Sequence, residues 1–279
     1  TNLPLVNALQ KLGCQIDSSD GHLPLAVHRP IQQTGSVSID GSLSSQYITA
    51  LLLISCGVAG DQAFFEKITI EGELVSKPYI DITITEMSKR GVSARWEGTR
   101  SISIDTTRSY EASHITIEGD ATAASYAASL ACIHRGQVKF TNLGSNTRQG
   151  DYRFFEVLER LGAEVTRDQT STLIRGPSQL ASFKSIDMQE MPDVALTLIA
   201  LAPLLNEELS ISGLSSLHHK ECDRLECPAN EMLKMGIGVT TTSDSIHIQP
   251  ASFQTLSDHL LTTYHDHRMA MAFSVLGSK

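Results

Sequence analysis

No apolar run in this sequence is long enough to cross a bilayer. The longest, from Ala195 to Leu205, is interrupted by Thr197 and Pro203 and stops well short of the roughly 20 residues a spanning helix needs. A cationic excess is also missing. With 22 Lys plus Arg against 31 Asp plus Glu and a formal charge of -9, no global basic field exists to hold nucleic acid or an anionic membrane surface, so any anionic ligand must be held by local groups. Cysteine is sparse. Cys14, Cys56, Cys132, Cys222 and Cys227 are odd in number, scattered and without a C-x-x-C pair, which speaks against a disulfide framework or zinc finger and fits a reducing cytoplasm. There is no G-x-S-x-G, no Gly-rich phosphate loop and no dinucleotide fingerprint, so nucleotide-dependent chemistry is not indicated. The opening TNLPLVNALQKLG begins at Thr1 and lacks the order of a signal peptide, so the chain is expected to be processed or to be a piece. What remains is a folding composition: 41% hydrophobic and 19% charged over 279 residues predicts roughly two globular domains.

Internal repeats organise the chain. Leu9-x-x-Leu12-Gly13, Met87-x-x-Arg90-Gly91, Leu158-x-x-Leu161-Gly162 and Met232-x-x-Met235-Gly236 place their glycines 78, 71 and 74 residues apart. Each reads as an amphipathic helix stopped by a glycine able to take the left-handed C-terminal conformation, with a strand leaving the turn. A second class of helix opens on small or acidic residues and is small or apolar on every face: GSLSSQYITALLL from Gly41, GDATAASYAASLA from Gly119, PDVALTLIALAPLL from Pro192 and HDHRMAMAFSVL from His265. Such helices are expected to be buried. Strands are expected at 36–40, 67–72, 101–105, 114–119, 137–140, 208–212 and 245–249, where apolar and polar residues alternate. The fold class is therefore α+β, built from a unit of roughly 71 to 79 residues. Fewer than four copies are present, starting and ending in mid-unit. The polar stretch TTRSYEAS near 106–113 predicts a division into domains 1–113 and 114–279.

The chemistry sits at the mouths of the buried helices. Ser44, Ser45 and Gln46 put hydroxyls, an amide and free backbone N–H groups at a helix start, which suits either an anion or a plain serine cap. Ser76 and Tyr79, in SKPY, flank a turn. Asp193, in MPDVALT, reads either as an N-cap or as a general base. Lys220, Glu221 and Arg224 crowd HKECDR, and an i, i+4 spacing would put Lys220 and Arg224 on one helical face. His267 and Arg268, after Asp266, lead straight into Met-Ala-Met. An arginine at a helix N-terminus opposes the dipole unless an anion is shared there. A metal cluster of His265, His267, His218, His219 and Asp223 is a weaker reading, because two patches some 40 residues apart lack metal-ligand spacing.

Together DGSLSSQYITALLL, GELVSKPYIDIT, EGDATAASY, NTRQGDYRF, MPDVALT, HKECDR and HDHRMAM resemble the 5-enolpyruvylshikimate-3-phosphate synthase (EPSP synthase) family of enolpyruvyl transferases, in order and over essentially the whole chain. The resemblance implies a two-domain inverted α/β architecture of βαβαββ repeats, with both domains incomplete here and helix N-termini aimed into a cleft. It implies transfer of the enolpyruvyl group of phosphoenolpyruvate to the 5-hydroxyl of shikimate 3-phosphate, with no metal or organic cofactor, in a cytoplasmic enzyme that is a monomer when full length and binds neither nucleic acid nor membrane. By that resemblance Ser44, Ser45 and Gln46 hold the shikimate 3-phosphate, and Ser76 and Tyr79 line the same half. Asp193 binds shikimate hydroxyls and acts as base, Lys220 contacts the shikimate ligand, Glu221 serves in proton transfer, Arg224 and Arg268 clamp phosphoenolpyruvate, and His267 lies close to the reacting centre. Ser216 stands where the family commonly has Asn.

Family segments carrying two lysines and an arginine of the anion clamp are absent from these 279 residues, so the chain alone is expected to turn over neither substrate. Normal turnover in a phosphate-release assay would contradict this. The alternatives are a UDP-N-acetylglucosamine enolpyruvyl transferase of the same fold, a non-catalytic binding protein derived from the enzyme, and a metal-dependent hydrolase.

Overall fold

The structure, a computed structural model, describes residues 1–33, 35–56, 64–251 and 259–279. The chain divides into two compact units, Thr1–Thr116 and Ile117–Lys279.

The first unit opens with helix α1 (Leu3–Lys11) and the antiparallel hairpin β1 (Gln15–Ser19) and β2 (His22–Arg29). It continues through β3 (Ser36–Asp40), α2 (Ser45–Ile54), β4 (Lys67–Glu71), α3 (Lys77–Ser88), β5 (Ala94–Glu97) and β6 (Ser101–Ile104). The sheet order is β3-β4-β6-β5, with β3 parallel to β4 and the remaining pairs antiparallel. Strand alternation decides its buried face: Val37, Ile39, Ile68, Ile70, Ile102 and Ile104 all point into one core, as a period of two requires.

The second unit repeats the plan. It runs α4 (Ala121–Ile133), β7 (Gln137–Phe140), a 3-10 turn at Gly150–Arg153, α5 (Phe154–Arg160), β8 (Glu164–Arg167) and β9 (Thr172–Arg175). Then come β10 (Ser185–Asp187), a 3-10 turn at Pro192–Val194, α6 (Ala195–Leu201), β11 (Leu209–Ser212), a 3-10 turn at Ser215–His219, α7 (Glu226–Lys234), β12 (Val239–Thr241), β13 (Ile246–Ile248) and α8 (His267–Gly277). The order β10-β11-β13-β12, again with a parallel first pair, matches β3-β4-β6-β5 strand for strand. Gly13, Gly91, Gly162 and Gly236, the four repeat glycines, have φ of 81°, 87°, 95° and 74°, a region that side chains with a Cβ avoid.

Two expectations need correction. Residues 114–119 are not a strand. The sheet β7-β9-β8 has three members, and only Gly119 N donates to Asn142 O (2.9 Å), the counterpart of Gly41 N to Glu71 O (3.0 Å) and Met188 N to Ser212 O (2.9 Å). Alternation of Ile115 and Ile117 with polar neighbours does not make a strand where no ladder satisfies the backbone. Nor is every helix of the second class fully buried. All seven residues of α6 are, but α2 leaves Leu53 and Ile54 exposed, because α1, α3 and β4 pack on one side of it.

Candidate functional site

In the second unit the N-terminal ends of α4, α6 and α8 come together. Ser125 on α4 bonds Thr197 on α6 through their hydroxyls (2.9 Å), and α8 packs on both helices. Ser125 is the fifth residue of α4 and Thr197 the third of α6, so this packing draws the preceding turns into one place. Asp193 lies in the 3-10 turn before α6, where Val194 and not Asp193 holds the N-cap position. Its carboxylate instead faces cations: Lys220 Nζ at 3.2 Å, Arg224 Nη1 at 3.3 Å and Arg268 Nη2 at 3.5 Å. Arg268 Nη1 also donates to the Asp193 carbonyl (3.3 Å). The cap reading is thereby replaced by an ion cluster, and the anion shared at the arginine-bearing start of α8 is Asp193.

Lys220 and Arg224 do not share a helical face. The Asp223 carboxylate accepts from Leu225 N (3.1 Å) and Glu226 N (3.0 Å), so α7 begins only at Glu226 and Lys220 is extended (φ -91°, ψ -161°). This is the N-capping behaviour of a short carboxylate, and it leaves 220–224 free to wrap round Asp193. Arg224 is only 2% exposed and is gripped by Asp266, whose carboxylate accepts from Nε (2.7 Å) and Nη2 (3.2 Å), and by Glu221. Asp266 simultaneously caps α8 by accepting from Arg268 N (2.8 Å).

These contacts settle the charges. Burial acts to raise the Asp193 carboxyl, but Lys220, Arg268 and Arg224 outweigh it and hold it below the ordinary carboxylate range. Burial likewise opposes ionisation of Asp266, and the bonds from Arg224 and the Arg268 backbone overcome it. Asp193 and Asp266 thus stay ionised at neutral pH, each paired with cations.

The other expected residues are placed as follows. Glu221 is half exposed and bound to Arg224. His267 is the first residue of α8, with a side chain 69% exposed and Nδ1 at 3.8 Å from Asp266. Ser216 is half-buried in the 3-10 turn that ends one residue before Lys220. His218, considered as a metal ligand, is committed to Asp223 (2.8 Å) and the Ser243 carbonyl (3.1 Å). In the first unit Ser44 caps α2, accepting from Gln46 N (3.2 Å), while Ser45 is buried and Gln46 exposed. Ser76 sits at the start of α3 in the left-handed region (φ 54°), and Tyr79 N donates to its carbonyl (3.2 Å). Thr49 on α2 meets Thr83 on α3 (3.0 Å), and Val75 N reaches Gly41 O (3.3 Å), so both helix starts lie at the same end of the sheet. The structure therefore groups Ser44, Ser45, Gln46, Ser76 and Tyr79 in one unit, and Asp193, Ser216, Lys220, Glu221, Arg224, His267 and Arg268 in the other.

Sequence reading did not single out three further residues. Asp266 was noticed only as part of a charged run, whereas it anchors Arg224 from a fully buried position. Glu231 is fully buried on α7 and accepts from Tyr264 Oη (2.6 Å), Thr262 N (3.1 Å) and Lys234 Nζ (2.6 Å). It ties down the turn before Asp266, where Tyr264 and His265 both have positive φ (53° and 58°), a conformation that needs such support. A glutamate on the apolar side of a helix was the available signal. Asp151 is buried beside α4, its Oδ2 accepting from the Thr122 hydroxyl.

Repeated βαβαββ units, with helices on four-stranded sheets whose first pair is parallel, define the enolpyruvyl transferase class of fold. Two solved structures share the fold: EPSP synthase from Acinetobacter baumannii (TM-score 0.71, 22% identity, 98% of this chain and 63% of that one) and the enolpyruvyl transferase NikO from Streptomyces tendae (TM-score 0.66, 14% identity, the same coverages). The family EPSP synthase (3-phosphoshikimate 1-carboxyvinyltransferase) matches residues 3–279, and the chain belongs to it. Proteins named 3-phosphoshikimate 1-carboxyvinyltransferase from Haemophilus influenzae (strain PittEE) and Mannheimia haemolytica are 38% and 36% identical over 277 and 276 residues. In both cases the alignment covers 98% of this chain and 62% of the relative.

Proposed function

We propose that this chain carries the larger part of an enzyme that transfers the enolpyruvyl group of phosphoenolpyruvate to the 5-hydroxyl of shikimate 3-phosphate and releases phosphate. The observation that carries the reading is the half-buried carboxylate of Asp193 faced by Lys220, Arg224 and Arg268. The reaction needs a base for a hydroxyl proton and cations for a phosphate and a carboxylate. In the addition step the 5-oxygen bonds to C2 of phosphoenolpyruvate while its proton passes to the base and another proton is added at C3. Elimination then removes a C3 proton and breaks the C2–O bond to phosphate.

In this reading the cations that hold Asp193 are also the anion clamp, and that gives binding a consequence. An anionic ligand that takes up Arg268 and Lys220 removes the charges that hold Asp193 low, leaving burial to raise its affinity for a proton. Substrate binding thereby turns a weak base into a stronger one. Arg224, buried and bonded to Asp266 and Glu221, serves chiefly to hold the cluster together, while Lys220 and Arg268 are the more accessible cations.

The acceptor is assigned to Ser44, Ser45, Gln46, Ser76 and Tyr79 of the first unit. Trp96, the single tryptophan of the sequence, reports on them: Lys77, next to Ser76, lies 4.8 Å over its ring, and its Nε1 donates to Asp81 (2.7 Å). Titration with shikimate 3-phosphate is expected to change Trp96 fluorescence saturably, and UDP-N-acetylglucosamine to leave it unchanged. The reverse response would transfer the assignment to the UDP-sugar reaction, and a response to neither would reject the proposed acceptor site.

A further inference from the structure

Asp151 is an acid in an unfavourable place. It lies in the 3-10 turn Gly150–Arg153, which packs against α4, α5 and the turn that carries Asp193. The residue is 4% exposed, Oδ2 accepts from Thr122 Oγ1, and Oδ1 is buried with no hydrogen-bond partner. A carboxylate so placed lacks the bonds that normally offset desolvation. The charges acting on it are Asp193 from the facing turn, Arg268 from α8 and Asp120 at the start of α4. Arg153 of its own turn is directed instead to Glu190 (2.6 Å) and to Glu156 of α5 (3.9 Å). Arg268 is thus the cation whose charge favours an ionised Asp151, and it is also a partner of Asp193.

We propose that Asp151 is a positioning residue of this site: its buried carboxyl, packed against the turn that carries Asp193, decides by being neutral or charged how strongly the negative charge at that turn holds Arg268 against an incoming anion. This rests on the reading of Arg268 as a cation of the phosphoenolpyruvate clamp. Burial, reinforced by the nearby Asp193 charge and opposed by the Thr122 hydrogen bond, pushes the Asp151 carboxyl up to about 6. The group therefore changes charge in the mildly acidic range rather than near the ordinary Asp value. An asparagine could supply the same shape and accept the same Thr122 bond without the desolvation cost, so a purely structural role does not require the acid. When an anion draws the Arg268 charge away, Asp151 loses its counter-charge and takes up a proton.

The raised pKa also predicts the sign of a stability effect. Asp151 holds its proton more tightly in the folded than in the unfolded chain, so its contribution to stability is greatest at low pH and declines as pH rises from about 4 to about 6. Asp151→Asn removes that decline. In thermal unfolding of this chain, D151N is expected to melt with the wild type at pH 4.5 and several degrees above it at pH 7.5. D151N melting below the wild type at both pH values would overturn the proposal and mark Asp151 as structural. If D151N does not fold, the carbon-13 titration of the wild-type aspartate carboxyls decides: a midpoint near 6 supports the proposal, and Asp carboxyls all titrating below 4.5 overturn it. Calorimetric titration with phosphoenolpyruvate at pH 6.5, in two buffers of different ionisation enthalpy, adds a functional readout. The wild type is expected to take up more protons than D151N, and equal uptake would overturn the link to Arg268. Failure of both proteins to bind phosphoenolpyruvate would reject the clamp reading and with it the positioning role, while the melting data alone would still establish whether the acid is structural.

Discussion

Arg224→Met is expected to destabilise the second unit by about 3–5 kcal/mol, the usual result of removing one member of a buried ion pair. Arg224 supplies two hydrogen bonds to Asp266, which has no exposed side-chain surface, and further contacts to Asp193 and Glu221. Methionine matches the length of the stem but leaves Asp266 ionised, buried and facing no guanidinium. Donation from the Arg268 backbone N–H and a weak bond from the Cys222 thiol (3.4 Å) remain, two neutral donors against a lost bidentate cation. For a unit of this size the change corresponds to a fall in melting temperature of roughly 10 °C. Differential scanning calorimetry checks it. Arg224→Lys keeps the charge without the planar fork and is expected to fall between methionine and wild type. A methionine variant within about 1 kcal/mol of wild type would show that Asp266 is satisfied without Arg224.

Asp193→Asn is expected to act in opposite directions on binding and on chemistry. The carboxylate neutralises Lys220, Arg224 and Arg268 in the ligand-free protein, so an incoming phosphate or carboxylate has to compete with it. An amide of the same shape competes far less. Phosphoenolpyruvate is expected to bind D193N about tenfold more tightly, a gain of about 1.4 kcal/mol, measured by calorimetric titration. Where the enzyme turns over, D193N is expected to lose roughly 100- to 10,000-fold in rate, the range for removing a general base. Tighter binding with lost turnover is a combination that a merely structural aspartate does not produce. Weaker binding of phosphoenolpyruvate by D193N would overturn the account of Asp193 as an internal competitor.

The two variants probe one cluster from its two ends. Arg224 is surrounded by acids and Asp193 by bases, and the buried pair of Arg224 with Asp266 connects the chain at positions 42 residues apart. That separation is the reason the cluster could not be read from spacing. HKECDR and HDHRMAM each advertised charge near a helix start, but only the packing of α6 against α8 brings them to the same carboxylate.

What the linear order of residues established is the periodic part of the molecule. The four repeat glycines, each with positive φ, the two classes of helix and the alternating strands follow from local rules, in which a residue's neighbours three, four or two positions away decide its exposure. The residue types at the helix mouths were legible for the same reason, since caps and anion-binding starts are local motifs. The tertiary structure decided matters that depend on partners distant in sequence. Residues 114–119 alternate as well as any strand, yet a strand exists only where another backbone completes its ladder. Asp193 has the composition of a cap and was turned into the centre of a charge cluster by cations from positions 220, 224 and 268. Asp151 shows the same dependence: its identity was plain in the sequence, but burial and the charges of Asp193 and Arg268 arise only when turns far apart in the chain are folded into contact, and it is desolvation and proximity, not residue type, that give an acid its proton affinity.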